Sequence, residues 1–225
     1  MKISVIIPTL NEESCLSHTL ESLRVQRPHE IIVVDGGSTD ATCKVATALA
    51  DQVLQGPRGR AIQMNLGAAI ASGDALLFLH ADCFLEAGAL PEMRRCLKRR
   101  GVAAGCFRMA VQASGLLYRS IDACASLRVR LTGLVYGDQG LFLKRDVFSA
   151  LGCFPDVPLM EDVFFSKKLR RYGRILVAKT RVLVSPRRWQ QKGIIRQSLR
   201  NWSLLARAAW GVSPRRLASA YPEVR

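Results

Sequence analysis

Three polar clusters interrupt the apolar first half of the chain, and each carries a carboxylate. Pro8-Thr9-Leu10-Asn11-Glu12 follows the apolar run 3–7, Asp35-Gly36-Gly37-Ser38-Thr39-Asp40 follows 31–34, and His80-Ala81-Asp82 follows 75–79. A carboxylate placed like Asp35 can accept the N–H of a nucleobase or the hydroxyl of a ribose. Asp82, sharing a cation with diphosphate oxygens, is a donor for Mg2+ or Mn2+. Arg58 and Arg60, on either side of Gly59, can offset phosphate charge. Each cluster alone is also an ordinary turn: Ser38, Thr39 and Asp40 suit a helix N-cap, and Gly36-Gly37 a tight turn. Their recurrence at three strand ends favours one crevice, because ligands of open parallel sheets bind at the carboxyl ends of the strands.

Those strand ends need a scaffold, and the pattern supplies one. Runs 3–7, 31–34 and 75–79 are continuous and apolar or β-branched, as buried parallel strands are. Helical spacing fills 13–26, 39–50 and 61–72 between them, and 86–100 follows, with Gly101 as a C-cap. Alternating strands and helices imply right-handed βαβ units and an α/β, doubly wound sheet. The second half predicts strands at 103–109, 141–143 and 174–185, and helices at 115–132, 162–172 and 194–210. Without a low-complexity linker, the expected organisation is one domain over residues 1–190 and a helical extension over 191–225.

The 225 residues carry 33 Lys and Arg against 18 Asp and Glu. Residues 166–225 hold 16 of those cations and one acid, Glu223, so the net charge of +15 belongs to the C-terminal end. Hydrophobic residues at 49% exclude a disordered or collagen-like chain. Neither G-x-G-x-x-G nor G-x-x-x-x-G-K-[ST] occurs, which argues against dinucleotide enzymes and P-loop NTPases. The seven cysteines have no Cys-x-x-Cys spacing and are expected to be reduced, pointing to the cytoplasm. The N-terminal apolar run meets Pro8 too early for a signal sequence, and no run suffices to span a bilayer.

Longer segments carry a family resemblance. Residues 4–13 (Ser4-Val5-Ile6-Ile7-Pro8-Thr9-Leu10-Asn11-Glu12-Glu13), 30–40 (ending Asp35-Gly36-Gly37-Ser38-Thr39-Asp40) and 59–68 resemble the opening of family 2 glycosyltransferases. So do Ser72-Gly73-Asp74, Leu79-His80-Ala81-Asp82, Gly137-Asp138-Gln139-Gly140 and Met160-Glu161-Asp162-Val163, in the family's order. The match covers about residues 2–190 and is similar to a short subgroup found beside radical-SAM genes. It implies a GT-A fold, with a Rossmann-like, mostly parallel sheet flanked by helices, and a nucleotide-diphosphate sugar donor of UDP type. It implies that Pro8, Thr9, Glu12 and Asp35, with Gly37 and Arg60, hold the donor. It implies that Asp82, as the last Asp of the family's D-x-D, holds a divalent metal. His80 stands where the family has the first Asp, and an imidazole there tilts metal choice toward Mn2+.

Glycosyl transfer requires a base to take the acceptor hydroxyl's proton and cationic help for the leaving diphosphate. Within the matched segments, Asp162 is the candidate base, with Glu161 as its alternate. Gly137, Asp138 and Gln139 fall on the acceptor side. One displacement by one base inverts the anomeric centre. Arg188-Trp189 matches the end of the Q-x-x-R-W segment of processive synthases, but Ser185 replaces its Gln, so a non-processive enzyme is expected. Arg188 and Trp189 are candidates for the acceptor side, or a surface Arg beside a packed Trp. The competing functions are a nucleotidyltransferase of related fold and an idle nucleotide-sugar-binding protein. Residues 194–210 place Ile195, Leu199, Trp202, Leu205 and Ala209 on one helical face, flanked by arginines. Such a helix binds an anionic membrane surface, the inner leaflet here, or packs on the domain or a second subunit. No nucleic-acid motif accompanies the basic charge.

Overall fold

The computed structural model describes residues 1–219, apart from the side chains of Arg188, Ala209, Arg215 and Ser219. Strands β1 (Ile3–Thr9) and β2 (Glu30–Asp35) are buried along their whole length, as their unbroken apolar runs require. Helices α1 (Glu13–Val25), α2 (Thr42–Leu49) and α3 (Arg60–Ile70) carry the chain between β1, β2, β3 (Gln52–Gln55) and β4 (Ala75–Phe78), which pair in parallel. The chain continues through β5 (Cys83–Leu85), α4 (Ala89–Leu97), β6 (Val102–Val111), α5 (Leu116–Thr132) and a 3-10 turn at Gly137–Gln139. It then forms β7 (Leu141–Lys144), α6 (Arg145–Ala150), α7 (Glu161–Tyr172), β8 (Arg174–Val184), α8 (Arg187–Lys192), α9 (Ile194–Ala209) and α10 (Pro214–Ser219).

The strands form one sheet in the order β3-β2-β1-β4-β7-β6-β8-β5. β6 and β8 pair in parallel, while β7 runs against β4 and β6, and β5 against β8. The reversals matter for the site. The segments that precede β5 and β7 lie at the same sheet edge as the segments that follow β1, β2 and β8. Residues 8–12, 35–40, 79–82, 136–140 and 185–187 therefore converge, although they are far apart in sequence.

Period-two alternation divides the core between the two faces of the sheet. Ile3, Val5 and Ile7 face α1 and α4 through Leu16, Leu20 and Leu90. Ile6, Ile32 and Val34 face Met64 and Ala68 of α3. A group of rings, Phe78, Phe148, Phe154 and Phe165, fills the same side under α6 and α7 with centroids 4.8–5.3 Å apart. Packing α3 so tightly needs Gly67, where a Cβ would lie 2.6 Å from Ile6.

The sequence pattern anticipates the long elements and misses the short ones. β3 and β5 have four and three residues, too few for a periodic signal. α4 runs from Ala89 to Leu97 rather than over 86–100, so its C-cap is Lys98 and not Gly101, which is left-handed (φ +74°) in the turn that follows. In α9 the described side chains of the expected apolar row do not pack on the domain, apart from Leu205, which meets the cluster at α7. The row Ile195, Leu199 and Trp202 points outward, at 65%, 61% and 62% exposure. The row turned inward holds Gln197, Leu204 and Ala208; Leu204 and Ala208 pack on Leu159, Met160 and Val163, with Leu217 of α10. Leucine and alanine at that spacing fit closely against the start of α7. The segment after residue 190 thus contributes a wall to the crevice described next.

Candidate active site

The loops after β1 and β2 are laced together before any ligand is considered. Asn11 N–H donates to Ser38 Oγ (2.9 Å), Thr39 N–H to Asn11 Oδ1 (2.9 Å), Glu12 N–H to Thr42 Oγ1 (2.8 Å) and Ala41 N–H to Glu13 Oε2 (2.8 Å). Asn11 accepts a left-handed conformation to do so (φ +53°), which Asn tolerates better than most residues. Gln63 of α3 ties the two strand ends from beneath, donating to Thr9 O (2.8 Å) and Val34 O (2.7 Å). Asp35 is 1% exposed. Its Oδ2 accepts from Gly37 N–H (2.9 Å) and Ser38 N–H (2.8 Å), and its Oδ1 from Ser38 Oγ and from Thr9 Oγ1 (3.2 Å). Gly37 reaches that position with φ +89°. Burial alone would raise the Asp35 pKa, but the hydroxyl and N–H of Ser38 and the N–H of Gly37 hold it below the ordinary value.

Pro8, Thr9, Glu12, Arg60, His80, Asp82, Gly137, Asp138 and Asp162 line one crevice at this sheet edge. The crevice unites the strand-end residues of the first half with the turn and helix start of the second. Gly37 lines an adjacent depression with Asn11, Gly36, Thr39 and Arg58. Leu10 borders both depressions.

Gly137 is the hinge of the arrangement. Its N–H donates to Asp162 Oδ2 (2.6 Å), and a Cβ there would lie 2.5 Å from His80 Nε2 and 3.6 Å from Asp162 Oδ2. A side chain there would collide with the imidazole of His80, while it would meet the carboxylate of Asp162 at ordinary contact distance. The turn is held from behind, where Val135 N–H donates to Ser166 Oγ of α7 (3.1 Å).

Glu161 and Asp162 open α7 after Met160, which takes a left-handed backbone conformation (φ +67°) that is strained for a residue with a Cβ. The two acids then part. Glu161 is 2% exposed and its Oε1 lies 3.0 Å from Arg60 Nε. Asp162 is half-buried and faces the crevice, with Oδ1 accepting the Val163 N–H (2.7 Å). Burial pushes the Asp162 pKa up, against the opposing pull of Arg60 and the N–H groups of Gly137 and Val163. Burial raises Glu161 as well, opposed by Arg60 and reinforced by Asp162.

The side chains of His80, Asp82 and Cys83 each bring a ligand atom within 4.8 Å of the others. Imidazole and carboxylate together form a donor pair suited to Mn2+, so these residues fit a divalent cation. Cys83 Sγ is buried, 3.8 Å from Asp82 Oδ1. Asp82 Oδ2 and Glu12 Oε2 are each 3.3 Å from Arg187 Nη2, an ion pair that closes this end of the crevice. Cys15 stands beside them, but burial and the Glu12 charge push its thiol up to about 12, far from a thiolate nucleophile.

Five expected site residues, Asp35, Gly37, Gln139, Glu161 and Trp189, do not line this crevice. Gln139 is buried, and its Oε1 accepts from Arg128 Nη2 and the Tyr136 N–H, so it shapes the turn from inside rather than lining the crevice. Trp189 is buried in the core layer that holds Leu16, Cys83 and Phe107, and does not line the crevice. Arg60 does line it, with its guanidinium paired to Glu161. The side chain of Arg188 lies outside the described residues.

The sequence profile of glycosyl transferase family 2 matches residues 4–149. The chain belongs to this family. Among curated relatives, the O-antigen chain rhamnosyltransferase RfbN of Salmonella typhimurium is 26% identical over 200 residues, covering 77% of this chain and 62% of that protein. Dodecaprenyl-phosphate galacturonate synthase of Rhizobium johnstonii is 30% identical over 159 residues, covering 64% and 47%. The chain thus spans about half to three fifths of these relatives' length. Among solved structures, S. aureus TarS in complex with UDP-GlcNAc aligns with TM-score 0.66 at 22% identity, over 82% of this chain and 58% of that one. Glucosyl-3-phosphoglycerate synthase from Mycobacterium tuberculosis, in complex with Mn2+ and UDP-glucose, aligns with TM-score 0.59 at 20% identity, over 82% and 69%. These likenesses establish the GT-A fold, whose sheet edge carries the crevice.

The family profile ends at residue 149, so α7 and α9 lie beyond it. From α9, Asn201 and Leu204 line the crevice, and Tyr136 and Leu159 complete the same wall. Helical periodicity offered a single apolar row on α9, and Leu204 and Ala208, which meet α7, are outside it. Arg187 was legible only as part of a basic run; its partners Glu12 and Asp82 come from the other end of the chain.

Proposed function

We propose that this family 2 domain transfers a sugar from a nucleotide-diphosphate sugar, of UDP type, to an acceptor hydroxyl, non-processively and with inversion. The observation that carries the proposal is the division of labour between Glu161 and Asp162. Glu161 is withdrawn into an ion pair with Arg60, whereas Asp162 faces the crevice across Gly137 from His80. A carboxylate whose pKa is raised by burial is a better proton acceptor, and a single base facing a single crevice suits one displacement. Asp162 takes the acceptor's proton on Oδ1 or Oδ2, while the Gly137 N–H holds the carboxylate in position.

Thr9, Glu12 and the Asp35 loop form the donor end. The carboxylate of Asp35 is engaged by its own loop, so base recognition there requires the Ser38 or Thr9 hydroxyl to turn aside. Asp82 and His80 would hold a divalent cation, which supplies positive charge for the leaving diphosphate. Arg187, paired to Asp82 and Glu12, places a permanent cation at the same end. Titration calorimetry with UDP, in Mn2+ and in EDTA, tests the donor assignment. Binding that tightens with Mn2+ is the expected result. No heat from any nucleoside diphosphate under either condition would refute it, and would equally remove the nucleotide-sugar-binding alternative.

A further inference from the structure

Among the described residues, no helix is long and apolar enough to cross a membrane. Yet α9 carries apolar side chains on both faces, and only one face is used by the fold. Leu204 and Ala208 meet α7, whereas Ile195, Leu199 and Trp202 stand more than half exposed, and Trp210 beyond the helix end is 84% exposed. Beside that outward row, Lys192, Arg196 and Arg200, one helical step apart, line a groove with Leu199 and Ser203. α5 touches α9 and turns its own leucines outward, Leu127 and Leu131 at 54% and 70% exposure.

We propose that the outward face of α9, with α5 beside it, docks on the surface of an anionic phospholipid bilayer. A tryptophan and aliphatic side chains flanked by a row of cations match the two layers of such a surface, acyl boundary and phosphate headgroups. Charge separates this occupant from a second copy of the chain. A symmetric pair formed through this face would bring two rows of Lys192, Arg196 and Arg200 into one interface, with no acidic side chain among the groove's lining residues to offset them, whereas anionic headgroups neutralise them. The other face of α9 walls the crevice through Asn201 and Leu204, so docking places the site directly beside the bilayer.

Flotation of the full chain with vesicles tests this without any sugar donor, so its outcome is independent of the transferase assignment. Recovery is expected with phosphatidylcholine vesicles containing phosphatidylglycerol, and not with phosphatidylcholine alone. The double variant Arg196→Glu/Arg200→Glu should weaken partitioning by about tenfold or more, given the contribution of each cation near a charged surface. Leu199→Ser/Trp202→Ser should weaken it comparably, and Val25→Ser, an exposed apolar residue of α1, should leave it unchanged. Thermal melts by circular dichroism verify that each variant is folded. Wild-type recovery of either folded α9 double variant would overturn the proposal. So would a dimer in solution that Leu199→Ser/Trp202→Ser dissociates, combined with no vesicle binding by the wild type.

Discussion

Asp35 ends β2 and Asp162 opens α7, and the fold drives their pKa values in opposite directions. Both are carboxylates at the end of a strand or the start of a helix, and both lose water on folding. Asp35 is compensated by its own loop: two N–H groups and two hydroxyls converge on it, and its pKa falls below the ordinary value. Asp162 receives two N–H groups, from Gly137 and Val163, with Arg60 as a further cation, and burial prevails. The difference teaches how one fold makes a permanent anion and a proton acceptor from the same side chain. The Asp35 loop favours the anion, whereas the start of α7 favours the protonated acid.

The largest effect that would sharpen this contrast is kinetic. Asp162→Asn keeps the shape and the Gly137 contact but cannot take a proton, so single-turnover transfer should fall by about 10²–10⁴-fold. Affinity for UDP should hardly change. Glu161→Gln should cost far less turnover, because its carboxylate is turned toward Arg60; the reverse ranking would exchange their roles. Next comes Asp82→Ala. It should weaken UDP binding chiefly when Mn2+ is present, and equal weakening in EDTA would remove Asp82 from the cation site.

Asp35→Asn is expected to destabilise the fold by about 2 kcal/mol, since an amide NH2 would face donors where a charged acceptor stood. Urea unfolding across pH separates the two acids further. The lowered Asp35 contributes stability that is present above the ordinary carboxylate pKa of about 3.9 and is lost as pH falls through its folded value. The raised Asp162 acts oppositely: its folded form holds a proton more tightly than the unfolded chain. Stability therefore declines as pH rises from about 3.9 toward the folded value, and Asp162→Asn should remove that decline. The smallest expected change is Gln63→Leu. Two buried carbonyls lose a donor, but Thr9 O keeps the Gly36 N–H, so about 1 kcal/mol is expected from the same unfolding experiment.

The strand-end part of the candidate site was readable in the sequence because its polar residues sit at the ends of unmistakable strands. Thr9, Asp35, His80 and Asp82 each break an apolar run, and parallel-strand geometry dictates where such residues meet. The part built from Gly137, Gln139, Glu161 and Asp162 offered weaker signals. A three-residue turn does not reveal that Gly137 faces the crevice while Gln139 faces Arg128. Trp189 follows two arginines in a motif-like run, and of the two readings open for it the structure shows the packed ring. Adjacent acids at a helix start look alike in sequence; the partner that separates Glu161 from Asp162 is Arg60, about a hundred residues earlier. The inward row of α9 was hidden by its outward row, since both repeat at helical spacing.

The contrast between the two acids can be measured without a substrate. A carbon-13 NMR titration of the aspartate carboxyl groups, assigned through Asp35→Asn and Asp162→Asn, reads both protonations in the folded chain. The account predicts a midpoint for Asp35 below the ordinary aspartate value and one for Asp162 above it. An Asp162 midpoint at or below that of Asp35 would contradict it.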